Sequence, residues 1–293
     1  MGNAIDVIVP TYGRSSCIHK CISSILPQLQ EQDNLFIVWQ GTQKPEVREA
    51  KNVHSLYSSP PNLPRARNKG VLAGENEIVL FFDDDVVIGP GVLECHRNAH
   101  VDISIGAVAG KIIDPLFPTG QSAPSTYDES TGRIIQSFNV DKSQFTISLM
   151  GAHMSFKREA ILRINGFDEQ FKRNALWEEV DAAFRIRLIG YKLWYCAEAV
   201  VDHLREQHGG CRSDTPQKYL FNQFANTTYF AAKHARRQYW NTWLTYWKYR
   251  LEYETRSSGV FKHSPIKVLS GVLGAIAGLL RYWTIRCFAT GSL

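Results

Sequence analysis

The chain has 293 residues, of which 44% are hydrophobic and 21% are charged. This composition excludes a disordered or fibrous protein and allows one large domain, or one domain with an extension. The formal net charge of +5 is unevenly distributed. Residues 216–293 carry 11 Lys and Arg and two Asp and Glu, which gives this segment a net charge of +9. The other residues carry 22 basic and 26 acidic side chains, which leaves −4. A basic C-terminal segment favours an anionic partner, either a membrane or a nucleic acid.

Six cysteines are scattered along the chain, at positions 17, 21, 95, 196, 211 and 287, without a CxxC pair. Cys17 and Cys21 are spaced to share one helix face, but a zinc site needs a second closely spaced pair. We therefore expect reduced thiols that are mostly buried. The first predicted strand begins at Ile5, which leaves no room for a secretory signal, so we expect a cytoplasmic protein.

Strand and helix patterns alternate along the N-terminal part of the chain. Short apolar runs predict strands at 5–10, 35–42, 77–82 and 105–113. Helical patterns lie between them, one starting near Ser15 or Ser16 and another at 65–74 that ends at Gly74. This alternation predicts an α/β sheet.

The second half of the chain begins with a long irregular segment. Residues 114–144 contain three prolines and little periodicity, which predicts a surface excursion with one hairpin around 128–133. A strand and a helix follow within 145–162, then a helix within 177–191 and a last strand at 192–203. In the second of these helices, Val180, Phe184 and Leu188 are predicted to share one face.

Three aspartates, Asp83, Asp84 and Asp85, follow the predicted strand at 77–82. In open α/β sheets, ligands collect at the carboxyl ends of the strands. Adjacent carboxylates repel each other, and a bound Mg²⁺ or Mn²⁺ would remove this repulsion with the oxygen ligands it prefers. The alternative is that one aspartate caps a short helix and its neighbours are solvated.

Five segments in this order carry a resemblance to a known family: VIVPTYGR, PNLPRARNKG, FFDDDVV, GFDEQF with WEEVDAAFRIRLIGY, and DH. Over residues 4–215 the chain resembles the inverting family-2 glycosyltransferases of GT-A fold, and most closely their galactofuranosyl- and rhamnosyl-transferase branch. The resemblance implies a Rossmann-like, mostly parallel mixed sheet flanked by helices in a catalytic domain at 1–215. It also implies transfer of a sugar from a nucleoside-diphosphate sugar to a glycan or a lipid-linked acceptor. Residues 216–293, beyond the resemblance, are basic and rich in aromatic side chains, and we expect them to form a C-terminal helical extension.

The same resemblance implies the residues of the donor site. Asp85 and His203 would hold a divalent cation, Mn²⁺ or Mg²⁺, that bridges the donor diphosphate. The donor-binding residues implied by the matching positions are Pro10, Thr11, Tyr12, Arg14, Gln40, Arg67, Asn68, Asp83 and Asp84. Many relatives have an aspartate that pairs with the base where this chain has Gln40, whose amide both donates and accepts hydrogen bonds. The alternatives are a structural role for His203 and a solvated helix face for Arg67 and Asn68.

The segment WEEVD at 177–181 offers a general base. By resemblance, Glu179 takes the proton of the acceptor hydroxyl and Glu178 positions the acceptor. The dipole at a helix N-terminus favours an ionised carboxylate, so we expect Glu179 to be deprotonated at pH 7. Trp177 would stack on an acceptor sugar or lie in the core. The alternative is that these acids only stabilise the first helical turn, which is the role we expect for Asp181.

Residues 239–253 contain seven aromatic side chains, and Trp240, Trp243, Trp247 and Arg250 are spaced for one helix stripe. Residues 268–280 are apolar or small, but a helix that spans a bilayer needs about 20 such residues. We therefore expect peripheral contact of 239–293 with the inner face of the membrane. Packing on the catalytic domain, or in an oligomer, is the alternative. No segment resembles a nucleic-acid-binding module, so we expect no nucleic acid partner.

Two other functions fit part of these features. A nucleotidyltransferase also uses acids and a metal on an α/β sheet, but that reaction needs no carboxylate base of the WEEVD kind. A catalytically inactive sugar-nucleotide-binding or scaffold protein is the alternative from another class. The complete set of acids argues against it.

Overall fold

The computed structural model describes residues 3–13, 18–47, 50–115, 125–128, 133–135, 137–173, 175–206, 209–210, 215–234, 240–241, 243–245, 247–248 and 265–290. The described strands are β1 (Ile5–Tyr12), β2 (Asn34–Gln40), β3 (Val53–Tyr57), β4 (Ile78–Phe82), β5 (Val86–Ile88), β6 (Ile105–Ile113), β7 (Thr126–Asp128), β8 (Arg133–Ile135), β9 (Gln144–Thr146), β10 (His153–Lys157) and β11 (Lys192–His203). The described α-helices are α1 (Ile18–Ile25), α2 (Leu63–Ala73), α3 (Val92–Ala99), α4 (Arg158–Arg163), α5 (Glu178–Leu188), α6 (Pro216–His234) and α7 (Pro265–Thr290).

The main sheet is mixed, with the strand order β3-β2-β1-β4-β10-β6-β11-β5 and β9 paired to β11. Strands β1 to β4 include three parallel pairings, and β6 is parallel to β11. Strand β10 runs antiparallel between β4 and β6, and β5 runs antiparallel to β11. Because β1, β2 and β4 are parallel, their carboxyl ends lie at one edge of the sheet, where ligands bind in open α/β folds.

Two apolar clusters cover the two faces of this sheet. Successive side chains of a strand point to opposite faces. Val7 and Leu80 therefore lie in one cluster, and their neighbours Ile8 and Phe81 lie in the other. Burial on both faces explains why the predicted strands were continuous apolar runs instead of alternating patterns.

Most of the predicted elements are confirmed. Strand β6 and strand β11 have the predicted bounds, α2 ends at Ala73 with Gly74 as its C-cap, and β7 pairs with β8 where the hairpin was predicted. The edge strand β3 and the three-residue strand β5 were not predicted, because β3 is partly exposed and polar and β5 is very short. Val180, Phe184 and Leu188 all lie in α5, but Leu188, which ends the helix, is 71% exposed whereas the other two are buried.

The chain divides into two compact units. The first contains residues 1–126, 136–169 and 178–210, and the second contains 127–135, 170–177 and 211–293. In the second unit α6 packs against α7 through glycines of α7. A Cβ at Gly274 would lie 2.3 Å from the Phe221 carbonyl oxygen, and a Cβ at Gly278 would lie 2.3 Å from that of Ala225. Only glycine allows the two helices to approach this closely.

A network of buried imidazoles lies in the first unit between α3 and β10. The rings of His96 and His153 meet at their Nε2 atoms, 2.8 Å apart. The Ser155 hydroxyl lies 2.7 Å from His96 Nδ1 and 2.8 Å from His100 Nε2. One set of neutral tautomers satisfies these contacts: His100 donates to Ser155, Ser155 to His96, and His96 to His153. Burial lowers the pKa of His100 and of His153 to about 3, so both rings are neutral at pH 7.

The stability of the protein is therefore expected to fall as the pH is lowered below about 6.5. Unfolding raises the pKa of each imidazole to its ordinary value, so the unfolded state binds protons that the folded state excludes. The loss that His100 and His153 each contribute should approach about 1.4 kcal/mol per pH unit as the pH falls from 6.5 to 5. Urea unfolding at several pH values in this range measures the slope. His100→Leu should reduce that slope by about 1.4 kcal/mol per pH unit, and an unchanged slope would contradict the neutral state of His100.

Candidate active site

The carboxyl end of β4 delivers the three aspartates into different surroundings. Asp84 is buried and accepts a hydrogen bond of 2.6 Å from the Thr11 hydroxyl. Asp85 is buried as well, whereas the Asp83 side chain is about one third exposed. The next three residues form strand β5, and α3 begins only at Val92. The alternative of a helix-capping aspartate is therefore wrong.

Asp83, Asp85 and His203 form a group that can hold a metal ion. One ligand atom from each of the three residues lies within 4.8 Å of the others. His203 reaches this position because it pairs with Val86 in the antiparallel ladder of β11 and β5, directly beside Asp85. Its Nε2 is 3.3 Å from Asp85 Oδ1. Two carboxylates and one imidazole fit a divalent cation such as Mn²⁺ or Mg²⁺. The structure thus brings the two predicted ligands together and adds Asp83.

Asp114, which follows β6, orients His203 from behind. Its Oδ2 lies 2.8 Å from His203 Nδ1, and Arg205 Nε donates to both oxygens of the same carboxylate at 2.6 and 2.7 Å. Burial by itself lowers the pKa of His203, but Asp85, Asp83 and Asp114 raise it overall. The sequence analysis missed Asp114. The available signal was an acid directly after a predicted strand, as at Asp83.

Replacing Asp114 with Asn is expected to weaken the binding of Mn²⁺ by about 10- to 100-fold. A carboxylate behind a ligating imidazole holds the ring in position and raises its basicity, and an amide does both less well. Calorimetric titration of the protein with Mn²⁺ measures the affinity. Asp141→Asn is the matched control, because Asp141 is an exposed acid paired with Lys111. Equal Mn²⁺ affinity in the two variants would contradict the role of Asp114.

Arg67 on α2 links the end of β4 to the start of α5. Its side chain is 1% exposed and forms an ion pair with the buried Glu178. It also lies 3.4 Å from Asp83 Oδ1 and donates to the Gly151 carbonyl oxygen at 2.8 Å. The guanidinium therefore holds an acid of the metal group and the N-terminus of α5 in one arrangement.

Asn68, the next residue of α2, holds the segment 166–169. Its amide nitrogen donates to the Phe167 carbonyl oxygen, and its carbonyl oxygen accepts from the Phe167 amide, both at 2.8 Å. A Cβ at Gly166 would lie 2.4 Å from the Asn68 oxygen, and the φ of Gly166 is +70°. Glycine is therefore required there for both reasons. Arg65 adds a 2.8 Å contact to Glu169.

The predicted base-binding residues lie at the ends of β1 and β2. Pro10, Thr11 and Tyr12 end β1, and Tyr12 pairs with Gln40 in the ladder of the two strands. The Gln40 side-chain oxygen accepts from the amide of Asn62 at 2.7 Å. Asn62 in turn caps α2 by accepting from the Arg65 amide. Because the Gln40 oxygen holds this cap, its amide nitrogen is the atom suited to donate to a base. Arg14 lies outside the described residues.

Glu178 and Glu179 begin α5, as predicted. Burial raises the pKa of Glu179 to about 7, while a backbone hydrogen bond and the charge of Arg67 lower it and Asp83 raises it. The expectation that Glu179 is deprotonated at pH 7 is therefore met only in part, because desolvation raises the pKa and outweighs the helix N-terminus. A pKa near the operating pH is the value that suits a general base.

Trp177 lies in the second unit. Its indole Nε1 donates to the Thr227 hydroxyl at 2.8 Å, and its ring stacks on Phe230 with centroids 5.5 Å apart. The side chain is 6% exposed. These contacts place Trp177 in the core of that unit, which was one of its two expected roles.

The chain matches a known protein family and two characterised relatives in sequence. Residues 6–162, more than half of the chain, match Glycosyl transferase family 2. The chain is 24% identical over 215 residues to the O-antigen chain rhamnosyltransferase RfbN of Salmonella typhimurium, covering 68% of this chain. It is 25% identical over 218 residues to the O-antigen chain rhamnosyltransferase WbaN of Salmonella anatum, again covering 68% of this chain. The matches span 66% of the length of each relative.

Solved structures share the fold at low sequence identity. GalNAc-T7 with UDP, GalNAc and Mn²⁺ has a TM-score of 0.61 and 12% identity, and the match covers 81% of this chain and 53% of that one. The mannosyltransferase PcManGT from Pyrobaculum calidifontis, in complex with GDP-Man and Mn²⁺, has a TM-score of 0.55 and 14% identity. The match covers 97% of this chain and 88% of that one. S. aureus TarS in complex with UDP-GlcNAc has a TM-score of 0.53 and 14% identity, and the match covers 76% of this chain and 65% of that one.

The mixed sheet and these structural neighbours show that the chain has the GT-A fold. The chain belongs to glycosyl transferase family 2.

Proposed function

We propose that this protein is an inverting, metal-dependent glycosyltransferase that moves a sugar from a nucleoside-diphosphate sugar to a glycan or lipid-linked acceptor. One observation carries the proposal. The first unit holds the group of Asp83, Asp85 and His203, and Arg67 connects that group to the start of α5, where Glu179 has a pKa of about 7. A cation site for a diphosphate and a carboxylate base are the two parts that this reaction needs.

The donor would lie along the carboxyl edge of β1, β2 and β4. Pro10, Thr11, Tyr12 and Gln40 would contact the base, and Asp84 the ribose. Arg67 and Asn68 are proposed to act near the diphosphate chiefly by holding Asp83 and the segment 166–169. A divalent cation held by Asp83, Asp85 and His203 would supply positive charge against the leaving diphosphate.

Glu179 is proposed to accept the proton of the acceptor hydroxyl. As that oxygen forms a bond to the anomeric carbon, the bond from this carbon to the donor phosphate oxygen breaks on the opposite face. The electron pair leaves with the nucleoside diphosphate, and the configuration of the sugar is inverted. Glu178 is proposed to position the acceptor indirectly, since its contact with Arg67 holds the first turn of α5.

The similarity to two O-antigen chain rhamnosyltransferases supports a role in assembling a cell-surface polysaccharide. It makes a nucleoside-diphosphate rhamnose the first donor to test. We place this activity at the cytoplasmic face of the membrane, with residues 216–293 bringing the catalytic unit to its acceptor. Among the helices that the structure describes, none is long and apolar enough to cross a membrane.

Calorimetric titration with UDP, GDP, dTDP and CMP, each with and without Mn²⁺, tests the donor site. One nucleoside diphosphate is expected to bind at least about tenfold more tightly with Mn²⁺, because the cation neutralises the diphosphate. Asp85→Asn should remove this dependence on Mn²⁺ while leaving the fold intact. If no nucleotide binds under any condition, the scaffold alternative holds and the proposal fails.

A further inference from the structure

Helix α7 carries an exposed apolar surface that the catalytic function does not use. Its glycine face packs against α6, and on the other side six large apolar side chains are 42–62% exposed. At 100° per residue these six side chains span an arc of about 100° and a length of about 21 Å. We call this surface the outer face of α7, and it consists of Leu269, Val272, Leu273, Ile276, Leu280 and Trp283.

The outer face lacks the charges of an ordinary surface helix. Among the described side chains of α7, the charged ones are Arg281 and Arg286. Arg281 points away from the outer face, because its Nη1 donates to the Gln170 carbonyl oxygen at 2.7 Å and to Asn226 Oδ1 at 2.9 Å. Arg286 lies beside the arc and contacts the Tyr282 hydroxyl at 2.8 Å. A helix in contact with water carries polar and charged residues on its exposed face, so this face indicates an apolar partner.

The tryptophans that were predicted to form one helix stripe at 240–250 mostly pack within the second unit. The Trp243 Nε1 donates to the Thr228 hydroxyl of α6 at 2.7 Å. The Trp247 ring packs on Phe224 of α6 with centroids 3.9 Å apart. Arg250 lies outside the described residues. Trp240 stays 38% exposed, but the outer face of α7, with six exposed apolar side chains, is the larger described surface that is left for a partner.

Two partners fit an apolar face of this kind, a second copy of the chain and a membrane surface. The charge of residues 216–293 decides between them. In a two-fold contact with a second copy of the chain, segments that each carry +9 would be brought together and would repel. Anionic lipid headgroups instead attract such a segment. Trp283 and Tyr282 at one end of the face have the amphipathic rings that favour the level of the headgroups.

We propose that the outer face of α7 lies in the plane of an anionic membrane surface and docks the protein there. The proposal deepens the proposed function, because it names the surface that would bring the catalytic unit to a lipid-linked acceptor.

Flotation of the full chain with vesicles tests this docking. Wild type is expected to float with vesicles of phosphatidylcholine and phosphatidylglycerol, and to bind much less to phosphatidylcholine alone. Leu273→Glu combined with Ile276→Glu should weaken vesicle binding by roughly 100-fold, because two apolar side chains leave the interface. The matched control is Val101→Glu with Ile103→Glu, which adds the same charges at exposed apolar positions of the first unit and should bind like wild type.

A second variant and a second measurement distinguish a loss of membrane docking from a loss of the donor site or of the fold. Leu280→Gln with Trp283→Gln provides a second variant at the other end of the face, with no added charge. Nucleotide titration in Mn²⁺ reports on the donor site and the fold of each variant without vesicles, so the failure of the proposed function is seen independently. Wild type that does not float would overturn the docking proposal. So would variants that float like wild type but lose a concentration-dependent dimer in size-exclusion chromatography, since the face would then bind a second copy.

Discussion

Glu179→Gln is expected to lower kcat by about 10²- to 10⁴-fold, the range for loss of a general base. Glutamine keeps the size and hydrogen-bonding capacity of the side chain but cannot accept the acceptor proton. Nucleotide affinity in the presence of Mn²⁺ should stay within about twofold of wild type, since the donor-site residues are unchanged. Steady-state kinetics and calorimetry on the same preparation measure both quantities.

The pH dependence of kcat/KM tests the role of Glu179 independently. Because the pKa of Glu179 is raised to about 7, kcat/KM of the wild type should rise with pH through this value as the base loses its proton. The Gln variant should lack this rise. Glu94→Gln is the matched control, since Glu94 is an exposed acid in the first turn of α3 and its loss should leave kinetics unchanged. Turnover of Glu179→Gln close to wild type would disprove the assignment of the base.

Arg67→Met is expected to lower the free energy of unfolding by about 3–5 kcal/mol and to abolish transfer. The substitution leaves Glu178 buried without its cationic partner, and breaking a buried pair on one side has a cost of this size. It also releases the tie between Asp83 and α5. Urea unfolding and a transfer assay measure the two effects. Arg65→Met, on the same helix, is the control, since its pair with Glu169 is one third exposed and should contribute about 1 kcal/mol or less.

A double variant separates the structural effect of Arg67 from its effect on the reaction. Removing both partners, as in Arg67→Met with Glu178→Leu, should recover most of the lost stability, because no buried charge is left without a partner. Transfer should stay lost, because nothing then holds Asp83 and the first turn of α5 together. Strictly additive losses of stability would contradict the pairing of these side chains. Recovery of transfer together with stability would show that Arg67 acts through stability alone.

The strands and the candidate site acids could be predicted from the sequence, because both are local patterns. Strands β1, β4 and β6 are buried on both faces, so each is a continuous apolar run that stands out from its surroundings. Asp83, Asp84 and Asp85 interrupt such a run abruptly, and an acid cluster at that point is informative. Glu178 and Glu179 stand at the start of a helical pattern, which was enough to mark a candidate base.

Other features depended on contacts between residues far apart in the chain. Asp114 and His203 are 89 positions apart, and only the pairing of β11 with β6 and β5 brings the carboxylate behind the imidazole. The partners of Arg67 come from the residue after β4, from a loop and from α5. No local pattern encodes such a set, because it depends on strand order and register.

The sequence by itself determined the α/β class of this protein, the position of its acid cluster and its candidate base, since each is a local pattern of apolar and charged residues. Only the tertiary structure decided which acids share a site, that Arg67 is buried, and which face of α7 is exposed. It also decided the protonation of Glu179. The N-terminal position in a helix favours ionisation, but the surroundings that remove water from the carboxylate raise its pKa to about 7. Desolvation depends on the packing of distant segments, so it cannot be read from neighbours in the chain.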